Sequence, residues 1–529
     1  MIRFAVIADP HVHDCRWIPS GSGLSGAIRS FGETGQSTRV FNESVPAFRA
    51  ALNAAVEAGA KLVLLVGDLT DDGQQPNVDA ALAIVDEFKT RHGLRLLATP
   101  GNHDFYALCG RPQRKTFLAD DGAPVVVDSG KSPEAMTLGT PAALTSLSRL
   151  GFIPEATDRH WETPFGADPA WQRRTYPVPS PQGQVDCRMI DASYLVEPVD
   201  GLWVLSIDAN VCIPRDDASD FADPDHFLDP GKTGWDAVAR HRPHLLPWIA
   251  DVASRARRLG KHLVGFSHYP PLDVLGGSAA REIAMLGPSG LAQRMPDPAI
   301  AQTLAGTGLP LHFSGHLHVN DTARHASETG GFVNIAVPSP VGYGAALKIV
   351  DLTPEATRVR TLPLRRAAGY DLAFKAYHAE ATREGKAPPP ASMAADYGQF
   401  LDRYLQHLVP QRYLEREWPT DVVDYVRKST ASDLLALLGS DLAVPQDFAL
   451  TRLAEDWYRL RKGGELALAD IAASRLALYR ALAGADRPAP QPGLAARMAA
   501  ILDLLLIYMN RLPNGDFTIL PSGEIAAAL

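Results

Sequence analysis

The chain has 529 residues, 46% of them hydrophobic and 21% charged, with a formal net charge of -9. That length holds two or three domains and a substantial core, and the composition is that of a water-soluble globular protein. The acidic balance argues against a general nucleic-acid or anionic-membrane surface, while leaving room for a local basic site.

The chain opens directly on a strand, Phe4 to Ala8, with no charged leader or small-residue cleavage site before it. That strand ends at Asp9-Pro10-His11, and Ser20 to Gly35, rich in Gly and Ser, reads as a loop beside it. Val45, Phe48, Ala51, Leu52, Ala55 and Val56 recur at helical spacing. Lys61 to Val66 returns as a strand into Gly67-Asp68, and Val78 to His92 repeats the helical pattern. Leu94 to Ala98 is a third strand, ending at Gly101-Asn102-His103-Asp104. Strands alternating with helices imply βαβ units, and open sheets of this kind bind ligands beyond their carboxyl ends.

Phe105 to Asp200 breaks that rhythm, being long, Pro-rich and irregular. It reads as an insertion covering the strand ends. Its Trp161, Trp171, Arg173, Arg174 and Tyr176 either wall a substrate pocket or pack for stability alone. Leu202 to Ile207 resumes a strand into Asp208-Ala209-Asn210, placing Asn210 near the strand ends. An amphipathic helix built on Leu245, Trp248, Ile249, Val252 and Ala253 leads to the strand before Ser267-His268-Tyr269. The run Leu309 to Phe313 ends at Ser314-Gly315-His316-Leu317-His318, and three further strands follow as far as Leu364. From about Ala367 the pattern is helical, broken at Pro388-Pro389-Pro390, at Gly463-Gly464 and from Pro488 to Gly493. The expected organisation is a catalytic domain over residues 1–366, with 105–200 as its insertion, and a small helical domain over 367–529.

Five strand ends therefore carry Asp, His or Asn. Asp9, His11, Asp68, Asn102, His268, His316 and His318 offer mixed oxygen and nitrogen donors, which suit first-row transition metals better than calcium. Seven groups exceed one four-coordinate site and fit two ions sharing Asp68. Two ions roughly 3.5–4 Å apart are the usual device for in-line displacement at phosphorus. Gly67, Gly101 and Gly315 serve tight turns and close backbone approach. Gly231-Lys232-Thr233 is no phosphate loop, because His226 stands where that motif needs glycine. No G-x-S-x-G elbow is present.

Asp9-Pro10-His11, Gly67-Asp68, Gly101-Asn102-His103-Asp104, His268 and Gly315-His316-Leu317-His318 resemble, in order, the signature of calcineurin-like metallophosphoesterases over about residues 1 to 350. Within that family the chain looks most like members related to class III cyclic-nucleotide phosphodiesterases, some of which carry a helical C-terminal domain. The resemblance implies an α/β fold, a four-layer αββα sandwich. It implies Asp9, His11, Asp68 and His318 on one metal, and Asp68, Asn102, His268 and His316 on the other. His103 would stabilise the transition state or protonate the leaving oxygen, with Asp104 orienting its ring.

The expected function is hydrolysis of a small nucleotide-like or glycerophospho diester by a metal-bound hydroxide, with two Mn, Fe or Zn ions as cofactors. A phosphomonoesterase on the same site is the enzyme alternative, and a degenerate binding protein the alternative from another class. The four cysteines (Cys15, Cys109, Cys187, Cys212) lie far apart and read as reduced thiols, and Ile501 to Met509 is too short to span a bilayer. A cytoplasmic protein is expected, with no membrane or general nucleic-acid partner; the sequence sets no oligomeric state.

Overall fold

The computed structural model describes residues 1–287, 289–326, 331–444, 446–484 and 493–527. Of the predicted break from Pro488 to Gly493, all but Gly493 lies outside them. Fourteen strands matter for the site: β1 (Ile2–Ile7), β2 (Leu62–Val66), β3 (Arg95–Thr99), β4 (Trp161–Glu162), β5 (Tyr194–Val199), β6 (Leu202–Ser206) and β7 (His262–Ser267), then β8 (Leu311–Ser314), β9 (Asp321–His325), β10 (Phe332–Ala336), β11 (Ala346–Leu352), β12 (Thr357–Pro363), β13 (Phe517–Ile519) and β14 (Ile525–Ala527). Among the described residues they make two seven-stranded sheets, ordered β14-β13-β12-β11-β1-β2-β3 and β9-β10-β8-β7-β6-β5-β4.

The runs Leu62–Val66 and Leu202–Ser206 are buried at every residue, as strands covered on both faces must be. One face of each sheet packs on the other. Phe4 of β1 meets Phe313 of β8 edge-on at 6.0 Å, and the Tyr194 hydroxyl of β5 donates to the Ala98 carbonyl of β3 at 2.8 Å. The outer faces carry helices: α1 (Ser44–Glu57) and α2 (Gln75–His92) on the first sheet, α3 (Leu245–Arg258) and α4 (Pro298–Thr307) on the second. This is the expected αββα sandwich. Within it β1, β2 and β3 run parallel, as do β6, β7, β8 and β10, so their carboxyl ends gather at one edge.

Two findings depart from the sequence reading. The stretch 105–200 is not wholly irregular, because β4 and β5 lie inside the second sheet and β5 pairs with β6. Its other parts form separate hairpins, Arg114–Leu118 with Pro124–Asp128 and Thr175–Pro179 with Asp186–Ile190. Second, β13 and β14 follow the helical region yet extend the first sheet from β12. Lys348 of β11 fixes that return, its ammonium donating to Asn320 Oδ1, Thr361 Oγ1 and the Asn514 carbonyl at 2.6, 2.7 and 2.7 Å.

The C-terminal helices include α5 (Tyr397–Leu408), α6 (Leu414–Glu417), α7 (Thr451–Gly463) and α8 (Leu494–Met509). They dock on the loop before α1. Tyr404 of α5 donates to backbone carbonyls of that loop, and the buried Tyr377 hydroxyl donates to Glu43 at 2.9 Å. No helix of the described residues is long and apolar enough to cross a membrane.

Burial raises Glu43 to about 7, from an ordinary 4.5. Folding then takes up a proton between those values, so stability is fully present below about pH 4.5 and is lost as pH rises through 7, at about 1.4 kcal/mol per pH unit. Glu43→Gln cannot ionise. Its melting temperature relative to wild type is therefore expected to rise by a few degrees between pH 5 and pH 8. Calorimetry finding the same difference at both pH values would remove Glu43 as the titrating group.

Candidate metal centre

Where the parallel strands stop, the backbone turns into a region that L-residues avoid. Among the described residues only seven other than glycine have positive φ, and five of them are predicted ligands: Asp9 (51°), His11 (44°), Asp68 (48°), His316 (69°) and His318 (53°). Each such residue costs on the order of 1–2 kcal/mol. Clustered at one sheet edge, they bend successive side chains toward a common point. The glycines let that happen. A Cβ on Gly67 would stand 2.5 Å from His268 Nδ1, one on Gly101 2.1 Å from Asp68 Oδ1, and one on Gly315 2.5 Å from Asp9 Oδ2.

Two histidine–carboxylate groups result. Asp9, His11 and His318 place ligand atoms within 4.8 Å of one another, as do Asp68, His268 and His316. Asp68 stands between the groups, Oδ2 lying 3.2 Å from His268 Nε2 and 3.6 Å from His11 Nε2. Asn102 Oδ1 is 3.1 Å from His268 Nε2, so all seven predicted residues converge.

The donor set fits a pair of cations. His11 Nε2 and His318 Nε2 face each other at 3.1 Å, and His268 Nε2 and His316 Nδ1 at 3.2 Å. The remaining nitrogens of His11, His316 and His318 are buried without a partner. Burial holds these three imidazoles well below the usual histidine range, leaving them as the neutral bases that ligate metals. Burial also acts to lower His268, but the Asp68 carboxylate raises it to about 9. Burial acts to raise Asp68, but His268 and His103 outweigh it and hold that carboxyl low. The pair therefore behaves as a buried ion pair whose proton a metal would displace. His11, Asp71 and His103 also approach within 4.8 Å. Asp71 is already bound by Arg29, Arg39 and Lys115, at 3.2, 2.6 and 2.9 Å, so that group is an ion-pair network.

The structure corrects the orienting residue of His103. Asp104 does not reach that ring: its oxygens accept from the amides of Thr70 and Gly101 at 3.0 and 2.9 Å, tying the loops after β2 and β3 together. Asp72 takes the place, with Oδ1 2.6 Å from His103 Nδ1, while its other oxygen meets Lys115 at 2.7 Å. Lys115 belongs to the first hairpin of the 105–200 stretch. The His103 amide donates to Asp68 Oδ1 at 2.8 Å, which seats the ring beside the shared carboxylate. Sequence reasoning missed Asp72 and Lys115. Asp71-Asp72-Gly73 reads as a plain turn, and only the positive φ of Asp72 (60°) marks it.

The centre opens into a cleft of about 510 Å³. Its walls include Arg39, Arg111, Arg294, Arg412, Arg416 and Lys462, the last three from the helical region. Of the five residues read as either a pocket wall or packing for stability, none lines the cleft, and Trp171 packs against the main core. Trp161 and Tyr176 are buried, Arg174 donates to the carbonyls of Phe152 and Pro169 beneath Trp161, and Arg173 is exposed beside Asp168. Of the two residues expected near the strand ends, Tyr269 meets the His316 ring at 4.5 Å with the planes tilted by 46°, while Asn210 is buried against the Gly101 carbonyl.

Residues 2–163 match the family model described as calcineurin-like phosphoesterase. No curated protein matches the chain. Among solved structures, a dimetal phosphatase from Danio rerio is 13% identical, with 68% of this chain and 96% of that one covered at a TM-score of 0.39. A Thermus thermophilus protein is 10% identical, with 69% and 99% covered at 0.30. A purple acid phosphatase from yellow lupin seeds is 8% identical, with 68% and 51% covered at 0.33.

Proposed function

We propose that this chain, calcineurin-like phosphoesterase by its residues 2–163, hydrolyses a small nucleotide-like or glycerophospho diester with two Mn, Fe or Zn ions bound at the strand ends. One observation carries the reading: Asp68 lies between two histidine–carboxylate groups, and His103 hangs from its carboxylate. Asp9, His11, Asp68 and His318 would hold one ion, and Asp68, Asn102, His268 and His316 the other. Bound there, two cations acidify water and draw charge from phosphoryl oxygens.

The chain's own groups do the rest. Asp72 accepts the hydrogen bond of the His103 Nδ1–H, so the opposite nitrogen faces the cleft and can pass a proton to the departing oxygen. Lys115 offsets the charge of Asp72 and Asp71 and keeps that pair from competing for cations. Burial of Asp68, Asp71 and Lys115 strengthens each of these interactions. A cytoplasmic setting suits the four free thiols.

The same centre would also cleave monoesters, and the basic cleft favours that second reading by suiting a dianionic phosphoryl group. Metal-loaded protein assayed on bis-p-nitrophenyl phosphate, p-nitrophenyl phosphate and cyclic nucleotides decides between them. A higher kcat/KM on the diester is expected. Preference for the monoester would overturn the diester assignment, and hydrolysis of none would overturn the phosphoesterase reading.

A further inference from the structure

The wall of the cleft opposite the strand ends carries more positive charge than one phosphoryl group requires. Two divalent ions against Asp9 and Asp68 leave two positive charges, which a hydroxide nucleophile and one phosphodiester balance. Arg39 is spent on Asp71. Arg111, Arg294, Arg412, Arg416 and Lys462 make no ion pair among the described residues. Of the acids on the wall, Glu417 is engaged by Arg461 and Tyr458, and Asp229 accepts the Gly231 amide. The chain as a whole is acidic, so this concentration is local.

Lys462 is the telling member. It is 3% exposed and lines the cleft, and its ammonium has no hydrogen-bond acceptor among the described residues. Its ammonium sits over the Tyr413 ring at 5.9 Å and opens to the cleft, and a largely desolvated cation with no anion beside it carries a cost. The favourable field at the end of α7 offsets only a fraction. Its place is fixed by the catalytic sheet. The Lys462 carbonyl accepts the Asn320 amide at 2.7 Å and the Gly463 carbonyl accepts Asn320 Nδ2 at 3.0 Å, two residues beyond His318. The last turn of α7 is thus bolted to the loop that carries a proposed metal ligand. Arg412 and Arg416 are held similarly, donating to the Gln36 carbonyl and side chain at 2.9 Å each, and among the described residues their other donors have no acceptor.

We propose that the helical region completes the active site as a second anion subsite, so that the substrate carries a further phosphate besides the one that is cleaved. This rests on the phosphoesterase reading and names its substrate class: a small ester with two phosphate groups. The cleft volume of about 510 Å³ is that of a nucleotide-sized ligand and not of a nucleic-acid strand.

The test uses the metal-loaded full chain with two probes, adenosine 5′-monophosphate and adenosine 3′,5′-bisphosphate, by calorimetry and by inhibition of bis-p-nitrophenyl phosphate hydrolysis. The bisphosphate is expected to bind roughly ten-fold tighter, the worth of about one charge-assisted hydrogen bond. Lys462→Gln, and separately the exposed Arg294→Gln, should reduce that ratio several-fold. Arg294 covers the chance that the buried variant fails to fold. Equal affinity for the two probes in wild type would overturn the proposal, as would variants that weaken both probes in proportion. Tighter binding of a single-stranded oligonucleotide than of the bisphosphate would do so too. Absence of any hydrolysis would strike the phosphoesterase reading instead, since calorimetry reads the subsite without turnover.

Discussion

Asp68→Ala is expected to empty both metal positions at once and to lower kcat by on the order of 10³-fold or more, the worth of several kcal/mol of charge stabilisation. Asp68 Oδ2 meets the Nε2 atoms of both histidine groups, at 3.2 Å from His268 and 3.6 Å from His11, whereas Asp9 meets His268 only at Nδ1, the nitrogen held by the Val66 carbonyl. It also accepts the His103 amide, so its removal frees the loop that carries Asn102 and His103. Asp9→Ala should behave differently. That side chain is fixed by the His316 amide, at 2.9 and 3.0 Å to its two oxygens, and the ring nitrogen beside which it offers a ligand oxygen is His318 Nε2, at 3.6 Å. Elemental analysis should therefore give near-complete loss in the Asp68 variant and about half loss in the Asp9 variant. A full complement in Asp68→Ala would refute the shared-ligand assignment.

His103→Ala should keep its metal and lose activity, by roughly 10²–10⁴-fold if the ring acts as general acid. A good leaving group needs little protonation, so the loss should shrink for p-nitrophenyl esters and grow for alkyl esters. Equal losses would mean that His103 acts only through its field on the phosphoryl oxygens. Asp72→Asn supplies the companion experiment. Its side chain touches His103 and Lys115 and lies outside the seven proposed ligands. The amide would present a donor or a neutral oxygen where the ring now meets a carboxylate, which weakens the contact that orients the ring. Activity should fall in the same leaving-group-dependent way, with a changed pH–rate profile and unchanged metal content. Asp104→Asn, in contrast, should register as lower stability, because that carboxylate ties two loops together.

Much of the site was legible because each proposed ligand block follows a short apolar strand, and parallel strands deliver their ends to one edge. Periodicity located β1, β2, β3, β6, β7 and β8 to within a residue or two. What escaped was set by distance along the chain. β4 has two residues and β5 contains Pro198, so neither shows a pattern; β5 is a strand because β6 offers it an edge, and β4 because β5 does. Asp72 and Asp104 are alike in sequence; the left-handed turn at Asp72 decides which one faces His103. The basic wall was hidden for another reason. Its members come from positions 39, 111, 294, 412, 416 and 462, which no local window brings together.

The pairing of β13 with β12 has a consequence for how the molecule is made. β1, an interior strand of the first sheet, precedes the sheet's other strands along the chain, yet its neighbour β11 begins at Ala346. The sheet's outer edge is then capped only by residues 517–527. A nascent chain released near residue 366 would expose β12 as a bare ladder, the sort of surface that recruits other chains. It would also lack Asn514, one of the acceptors that Lys348 needs in the interior. Competence should therefore arrive late and all at once, and partial products should partition to aggregation rather than to a smaller working enzyme.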